Sequence, residues 1–260
     1  MYCSDPENFE AAMANLILRT EVGSTVYGTG LPGGEDHDEM AIAIMPREDV
    51  LGTRPFEGLQ WRTADEGVRS TPEDTDLSVY SLRKYLKLAA AGNPSILVPL
   101  FVPEEKVFEK TWQGEVLLAH RALFASKGAG HRFLGYMSAQ RNRLQDSKEG
   151  LRAPRSNRPE LTKQHGYDTK FAMHMLRLGY QGREFMDTSS ITLPMPDAER
   201  EFLLSVRRGE VAYGSVISAA NLLENQLELA IEASGLPDRP DRARVDALSA
   251  ELHLDAWGLL

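Results

Sequence analysis

The sequence predicts an α/β (α+β) protein, with a small mixed β-sheet domain over residues 1–100 and a helical domain over residues 101–260. Three observations predict it. Apolar runs of strand length, bounded by turn residues, are confined to the first eighty residues. From Ser81 onward the apolar residues recur at helical spacing. The charge changes at the same place: residues 1–80 hold 16 Asp/Glu against 5 Lys/Arg, and the remainder holds 22 against 24. An acidic first third followed by a near-neutral remainder suggests two units with different tasks.

Pro6 to Leu16 has Phe9, Met13 and Leu16 on one helical side, after Ser4 or Asp5 as a cap. The short apolar stretch Leu16–Val22 reads as a buried strand. Residues 23–34, with five glycines and a proline, form a loop by turn chemistry. Met40–Met45 (MAIAIM), Leu59–Trp61 and Asp76–Tyr80 (DLSVY) are further strands. Leu82, Tyr85, Leu86 and Ala89 share one helical face, stopped by Gly92-Asn93-Pro94. Helices are expected near 95–101, 112–125, 130–144, 167–186, 197–208, 211–234 and 241–256. Residues 145–164, with few apolar side chains and two prolines, read as a long loop.

A net charge of -9 argues against non-specific duplex binding, which is driven by phosphate neutralisation. The single cysteine, Cys3, excludes an intramolecular disulfide and a cysteine-built zinc cage. No apolar run approaches the roughly 18 residues of a spanning helix, and the first ten residues lack the charged and apolar regions of a signal peptide. A cytoplasmic protein with no membrane partner is expected.

The chemistry gathers in the acidic third. Gly23-Ser24 is followed, after eleven residues, by Asp36-His37-Asp38. Carboxylates at i and i+2 share one side of a strand and repel each other unless a divalent cation lies between them. Hard oxygen ligands suit Mg²⁺ or Mn²⁺. Asp76 opens a strand on which Asp76, Ser78 and Tyr80 share a face. Three carboxylates on adjacent strands would hold two ions about 3.5–4 Å apart, as in-line phosphoryl displacement requires. Gly23 and Ser24 would offer backbone N–H groups and a hydroxyl to a phosphate.

The stretch GSTVYGTGLPGGEDHDEMAIAI resembles the signature of the DNA polymerase β-type nucleotidyltransferase superfamily. More narrowly, G-S-x-x-Y-G-T, then SLRKYLKLAAAGNPSILVPLF, then GYDTKFAMHMLRLGYQG resemble the bacterial and phage predicted nucleotidyltransferases associated with RNA ligases (RlaP-like). The three blocks cover residues 15–186. The resemblance implies triphosphate contacts at Gly23 and Ser24 and metal ligands at Asp36 and Asp38. It implies Asp76 as the third carboxylate, assisting deprotonation of the attacking hydroxyl, with Asp74 as the alternative. The sequence departs from the pattern at Glu35, at His37 between the paired aspartates, and at Glu39, where an aliphatic residue is usual.

Lys170, His174 and Arg177 fall at i, i+4 and i+7, one helical stripe able to meet a triphosphate. His174 as a core-edge histidine bonded to a carbonyl is the alternative. Arg69 and Ser70 precede the third carboxylate and could reach phosphate. Between 141 and 163 seven bases, Arg141 first, outnumber three acids, which suits the nucleotide's phosphates or an RNA strand.

The expected activity is metal-dependent transfer of NMP from an NTP to an acceptor hydroxyl, releasing pyrophosphate. Mg²⁺ or Mn²⁺ is the cofactor, ATP is the default nucleotide on abundance, and an RNA 3′ end such as that of tRNA is the favoured acceptor. A protein- or small-molecule-modifying, toxin-like nucleotidyltransferase and a non-catalytic nucleotide- or partner-binding module are the alternatives. The acceptor, the base and the oligomeric state do not follow from the sequence.

Overall fold

The computed structural model describes residues 1–33, 37–68, 70–149 and 158–260. The chain forms two compact units, one of residues 1–91, 95–124 and 240–260, the other of 92–94 and 125–239. Residues 101–124 and 240–260, expected in the helical domain, thus belong to the sheet-bearing unit.

That unit opens with β1 (Tyr2–Cys3), α1 (Pro6–Ala14) and β2 (Leu16–Val22), followed by the single turn α2 (Ser24–Tyr27). Next come β3 (His37–Ala43), α3 (Arg47–Leu51), β4 (Gly58–Arg62), β5 (Thr75–Ser81) and α4 (Leu82–Ala90). α5 (Pro94–Leu97), at the seam between the two units in sequence, runs into a 3₁₀ turn before β6 (Val107–Lys110) and α6 (Trp112–Ala119). The sheet order is β1-β4-β5-β3-β2-β6, with β3 and β5 parallel and every other pair antiparallel. The sheet is therefore mixed, as the sequence predicted. The two-residue β1 and the short β6 lie at its edges; neither carries an apolar alternation long enough to announce itself.

Strand alternation gives the sheet two unlike faces. Ala41, Ala43, Leu59, Leu77 and Val79 point to one side and pack with Ala12 and Leu16, with Phe9, Met13 and Trp61 at the margin. Asp5 caps α1, accepting from the Asn8 N–H at 3.3 Å. On the other side lie Leu18, Met40 and Ile42, all buried, and the polar residues Asp38, Arg62, Asp76 and Ser78, all part-exposed. α4 packs against β3 and β5 through the predicted face, Leu82, Tyr85, Leu86 and Ala89. Its cap is Ser81, whose Oγ accepts from the Lys84 N–H.

The second unit holds α7 (Lys127–Glu149), α8 (Pro159–His165), α9 (Thr169–Thr188), α10 (Asp197–Arg207) and α11 (Tyr213–Ala233). α9 is its axis, packed on α7, α10 and α11. Glycine permits the close approach: a Cβ at Gly182 would lie 2.7 Å from Phe133 Cβ on α7. The segment 145–164, expected as a loop, is helical at both ends, since α7 runs to Glu149 and α8 starts at Pro159. Residues 150–157 lie outside the described residues. α12 (Arg242–Ala256) returns to the first unit, packing on α4 and α6. The Trp257 indole N–H after it donates to the Met45 carbonyl at 3.0 Å. No helix among the described residues is long and apolar enough to cross a membrane.

Candidate active site

β3 begins at His37, three residues before the apolar run that marked it in the sequence, so Asp38 lies inside a strand. In the parallel β3–β5 ladder Asp38 is the register partner of Asp76. Side chains of register partners project to the same face, and neighbouring strands are about 4.8 Å apart. The two carboxylates thus start from one short segment of one sheet face. On the other flank Asp38 pairs with Val22, the last residue of β2, and the chain turns away at Gly23.

Gly23 is fitted to that place for two reasons. Its backbone (φ 81°, ψ -162°) lies in a region that side-chain-bearing residues avoid. A Cβ there would stand 2.4 Å from Asp38 Oδ2 and 2.9 Å from Asp38 Cβ. The Gly-Ser dipeptide and the aspartate, fifteen residues apart in sequence, are thus pressed together in space. Ser24 follows as the first residue of α2.

Asp76 and Asp74 have different surroundings. Asp74 accepts from the Thr63 hydroxyl at 2.6 Å and from the Thr71 N–H and hydroxyl at 2.9 Å each. The Thr63 hydroxyl, then the Thr71 donors, hold its carboxyl below the usual carboxylate range. It ties a turn. Asp76 accepts from the Ser70 hydroxyl, 2.9 and 3.0 Å from its two oxygens, and Arg62 Nε lies 3.4 Å from Oδ1. Ser70 therefore faces the carboxylate.

The unusual carboxylates flanking the motif separate by face. Glu39 projects opposite to Asp38 and pairs with Arg19 at 2.5 Å. Its register partner Glu21, also buried, pairs with Lys106 at 2.5 Å. Burial pushes the Glu21 carboxyl up, but Lys106, with Thr25 and His37, pulls it below its ordinary value. Both stay on the reverse of the strand from Asp38.

Asp36 and Arg69, predicted as metal ligand and nucleotide contact, lie outside the described residues. Among the described residues no three His, Cys, Asp or Glu close on a single metal position. The described pair nevertheless fits a hard divalent cation: two carboxylates in register, with glycine packed against one of them.

In the second unit the stripe on α9 is less exposed than a solvated face. Arg177 is 2 % exposed, donates to the Gln181 side-chain carbonyl and lies 2.8 Å from His174 Nε2. A guanidinium only donates, so Nε2 accepts and the neutral ring carries its proton on Nδ1. Burial, then Arg177, Lys170 and Arg158, hold His174 well below the usual histidine range. Asp168, fully buried, caps α9 by accepting from the Lys170 and Phe171 N–H groups at 3.0 Å each. Arg141 on α7 is ion-paired to Glu224.

Sequence reasoning missed Arg62. Its polar side follows from the alternation of Leu59 and Trp61 inward with Gln60 and Arg62 outward. Its register with Asp76 had no signal in the sequence.

The profile of the RlaP family, described as the RNA repair pathway DNA polymerase beta family, matches residues 6–251. The chain belongs to that family. The resemblance carried by the glycine-serine block, the block that contains α4 and the α9 block is thereby borne out, and this RlaP-family chain is of the polymerase β nucleotidyltransferase-like type. It is 29% identical, over 143 residues, to an uncharacterized 38.9 kDa protein from the nrdC-mobD intergenic region of Enterobacteria phage T4. The match covers 54% of this chain and 40% of the phage protein, so the chain spans less than half of that relative's length. A nucleotidyltransferase-like protein from Exiguobacterium sibiricum 255-15, solved at 1.90 Å, aligns over 98% of this chain and 87% of its own. That alignment has 13% identity and a TM-score of 0.31, too loose to transfer structural detail.

Proposed function

We propose that this RlaP-family chain transfers NMP from an NTP to an acceptor hydroxyl, releasing pyrophosphate, with a divalent cation held by Asp36, Asp38 and Asp76. The observation that carries the proposal is the register pairing of Asp38 with Asp76, with Gly23 pressed on Asp38. When bound, Mg²⁺ or Mn²⁺ would supply charge neutralisation at the phosphates. Gly23 leaves room for the triphosphate beside Asp38, and the Ser24 hydroxyl and backbone contact it. Asp76 accepts the proton of the acceptor hydroxyl. Lys170 and His174 are nucleotide contacts, with the neutral ring of His174 suited to donate from Nδ1. Arg177, expected as a third contact, is buried and bonded to Gln181 and His174, so it orients the His174 ring instead. Arg69 is retained as a phosphate contact, whereas Arg141 would first have to release Glu224. The nucleotide is ATP, and the favoured acceptor is an RNA 3′ end such as that of tRNA, in keeping with the RNA repair named in the family's description. Positioning and charge account for most of the catalysis.

The test offers each of four α-labelled NTPs with Mg²⁺ or Mn²⁺, and total RNA, tRNA or protein as acceptor. Label is expected on RNA, lost by several orders of magnitude in Asp38→Asn and Asp76→Asn and retained in Asp74→Asn. Loss of label in Asp74→Asn with full activity in Asp76→Asn would reverse the choice of third carboxylate. Label on protein alone would favour the protein-modifying alternative. Binding of NTP·Mg²⁺ without transfer to any acceptor would favour a binding module.

A further inference from the structure

Arg62 stands directly across the antiparallel β4–β5 ladder from Asp76. Its Nη2 donates to Ser70 Oγ at 2.6 Å and to the Val68 carbonyl at 2.7 Å. Ser70 has one proton to give, and with Arg62 donating to its oxygen that proton faces the two Asp76 oxygens at 2.9 and 3.0 Å. Arg62 Nε is buried, and its approach to Asp76 Oδ1 at 3.4 Å is ionic rather than hydrogen-bonded. The side chains are 25% and 33% exposed, so the pair is partly shielded from water. One guanidinium thus joins strand β4, the Val68 carbonyl, the Ser70 hydroxyl and the third carboxylate.

We propose that Arg62 is a resident counter-cation and positioning residue for Asp76. Two effects follow, with opposite signs. Arg62 Nη2, by fixing the Ser70 hydroxyl, holds the Asp76 carboxylate in one orientation, which favours transfer. Its fixed positive charge beside the Asp38–Asp76 pair opposes a divalent cation there, which weakens metal binding. A carboxylate has about four lone-pair positions, so the Ser70 bond leaves Asp76 oxygens open to an ion. Arg62 therefore sets the metal concentration at which the site fills while keeping the carboxylate aligned. The inference rests on the metal-site reading above, and the experiment separates the two.

Mn²⁺ affinity is measured on the full chain by the paramagnetic resonance of free Mn²⁺, alongside NTP-dependent label transfer at saturating metal. Arg62→Gln is expected to bind Mn²⁺ about 3–10-fold more tightly and to transfer about 10–100-fold more slowly, with KM for NTP within about twofold. Arg62→Lys keeps the charge without the planar guanidinium whose Nη2 reaches both Ser70 and Val68, so its Mn²⁺ affinity stays near that of the unaltered protein while its transfer remains slow. Ser70→Ala, which leaves the ion pair in place, is expected to slow transfer without tightening Mn²⁺. Mn²⁺ binding that is lost in Asp38→Asn but not tightened in Arg62→Gln overturns this inference alone. If Arg62→Gln does not fold, tightened Mn²⁺ binding by Arg62→Lys or Ser70→Ala overturns it. No Mn²⁺ binding, or binding that survives Asp38→Asn, overturns the metal-site reading and this one together.

Discussion

At the scale of single residues, Gly23 is the most constrained position near the carboxylates. Any other side chain meets an avoided backbone region, a cost of about 1–3 kcal/mol, and collides with Asp38. Gly23→Ala is expected to slow transfer by about 100-fold, equivalent to about 2.7 kcal/mol, while leaving the far-ultraviolet circular dichroism unchanged. Unimpaired transfer would show that the glycine serves only the turn. This part of the site was legible in the sequence because it is local: Gly-Ser, Asp-x-Asp and an apolar strand follow one another within about twenty residues. The choice between Asp74 and Asp76 was only half legible. Strand alternation placed Asp76 with Ser78 and Tyr80, but the threonines that occupy Asp74 come from Thr63 and Thr71, across a turn with no pattern of its own. Glu39 was read as a departure near the metal ligands. Its cross-strand pairing with Arg19 depends on a register that the sequence does not encode locally.

Among the elements, α4 shows both how a pattern is read and what it hides. The stripe Leu82, Tyr85, Leu86, Ala89 gave the helix and its buried face. It did not reveal that the Tyr85 hydroxyl is buried without a hydrogen bond to any described residue. Burial raises its pKa far above the usual tyrosine range. An unmet buried hydroxyl costs about 1–3 kcal/mol, so Tyr85→Phe should be neutral or stabilising, raising Tm by up to about 4 °C in calorimetry. A clear fall in Tm would mean that the hydroxyl has a partner. Asp168→Ala should act in the opposite sense. It removes a fully buried cap bonded to two N–H groups of α9, and a loss near 2 kcal/mol in urea unfolding is expected. In the second unit α9, α10 and α11 were legible within a few residues, and α7 within about five, because their apolar period persists over several turns; the two-turn α8, in a segment read as loop, was not. β1 and β6 were not, since two and four residues are too few to show alternation.

For the whole molecule, pH between about 5 and 8 acts through two histidines, the half-buried His174 and the buried His253. Burial and neighbouring cations lower the pKa of His174 well below 6.5, and burial lowers that of His253, whose ring nitrogen Nδ1 lies 2.6 Å from the Ser249 carbonyl. A depressed folded pKa means that the unfolded chain takes up protons first as the pH falls through about 6.5, while the native state does not. Stability should therefore be flat above that pH and fall below it, until the folded-state values are reached. Denaturant midpoints at about pH 7.5 and pH 5.5 should show the drop, and His174→Gln should reduce it. An unchanged drop in the variant would remove His174 as its source. The division into units has a consequence for synthesis. Residues 240–260 return to the sheet-bearing unit, where Gln113 donates to Asp255 at 2.7 Å and Trp257 to Met45. At ribosomal speed the stretch 125–239 takes on the order of ten seconds to emerge, and throughout that time α4 and α6 lack the packing of α12. The sheet-bearing unit is thus assembled from segments separated in time, and its packing is complete only once residues 240–260 have followed the whole of the other unit out of the ribosome.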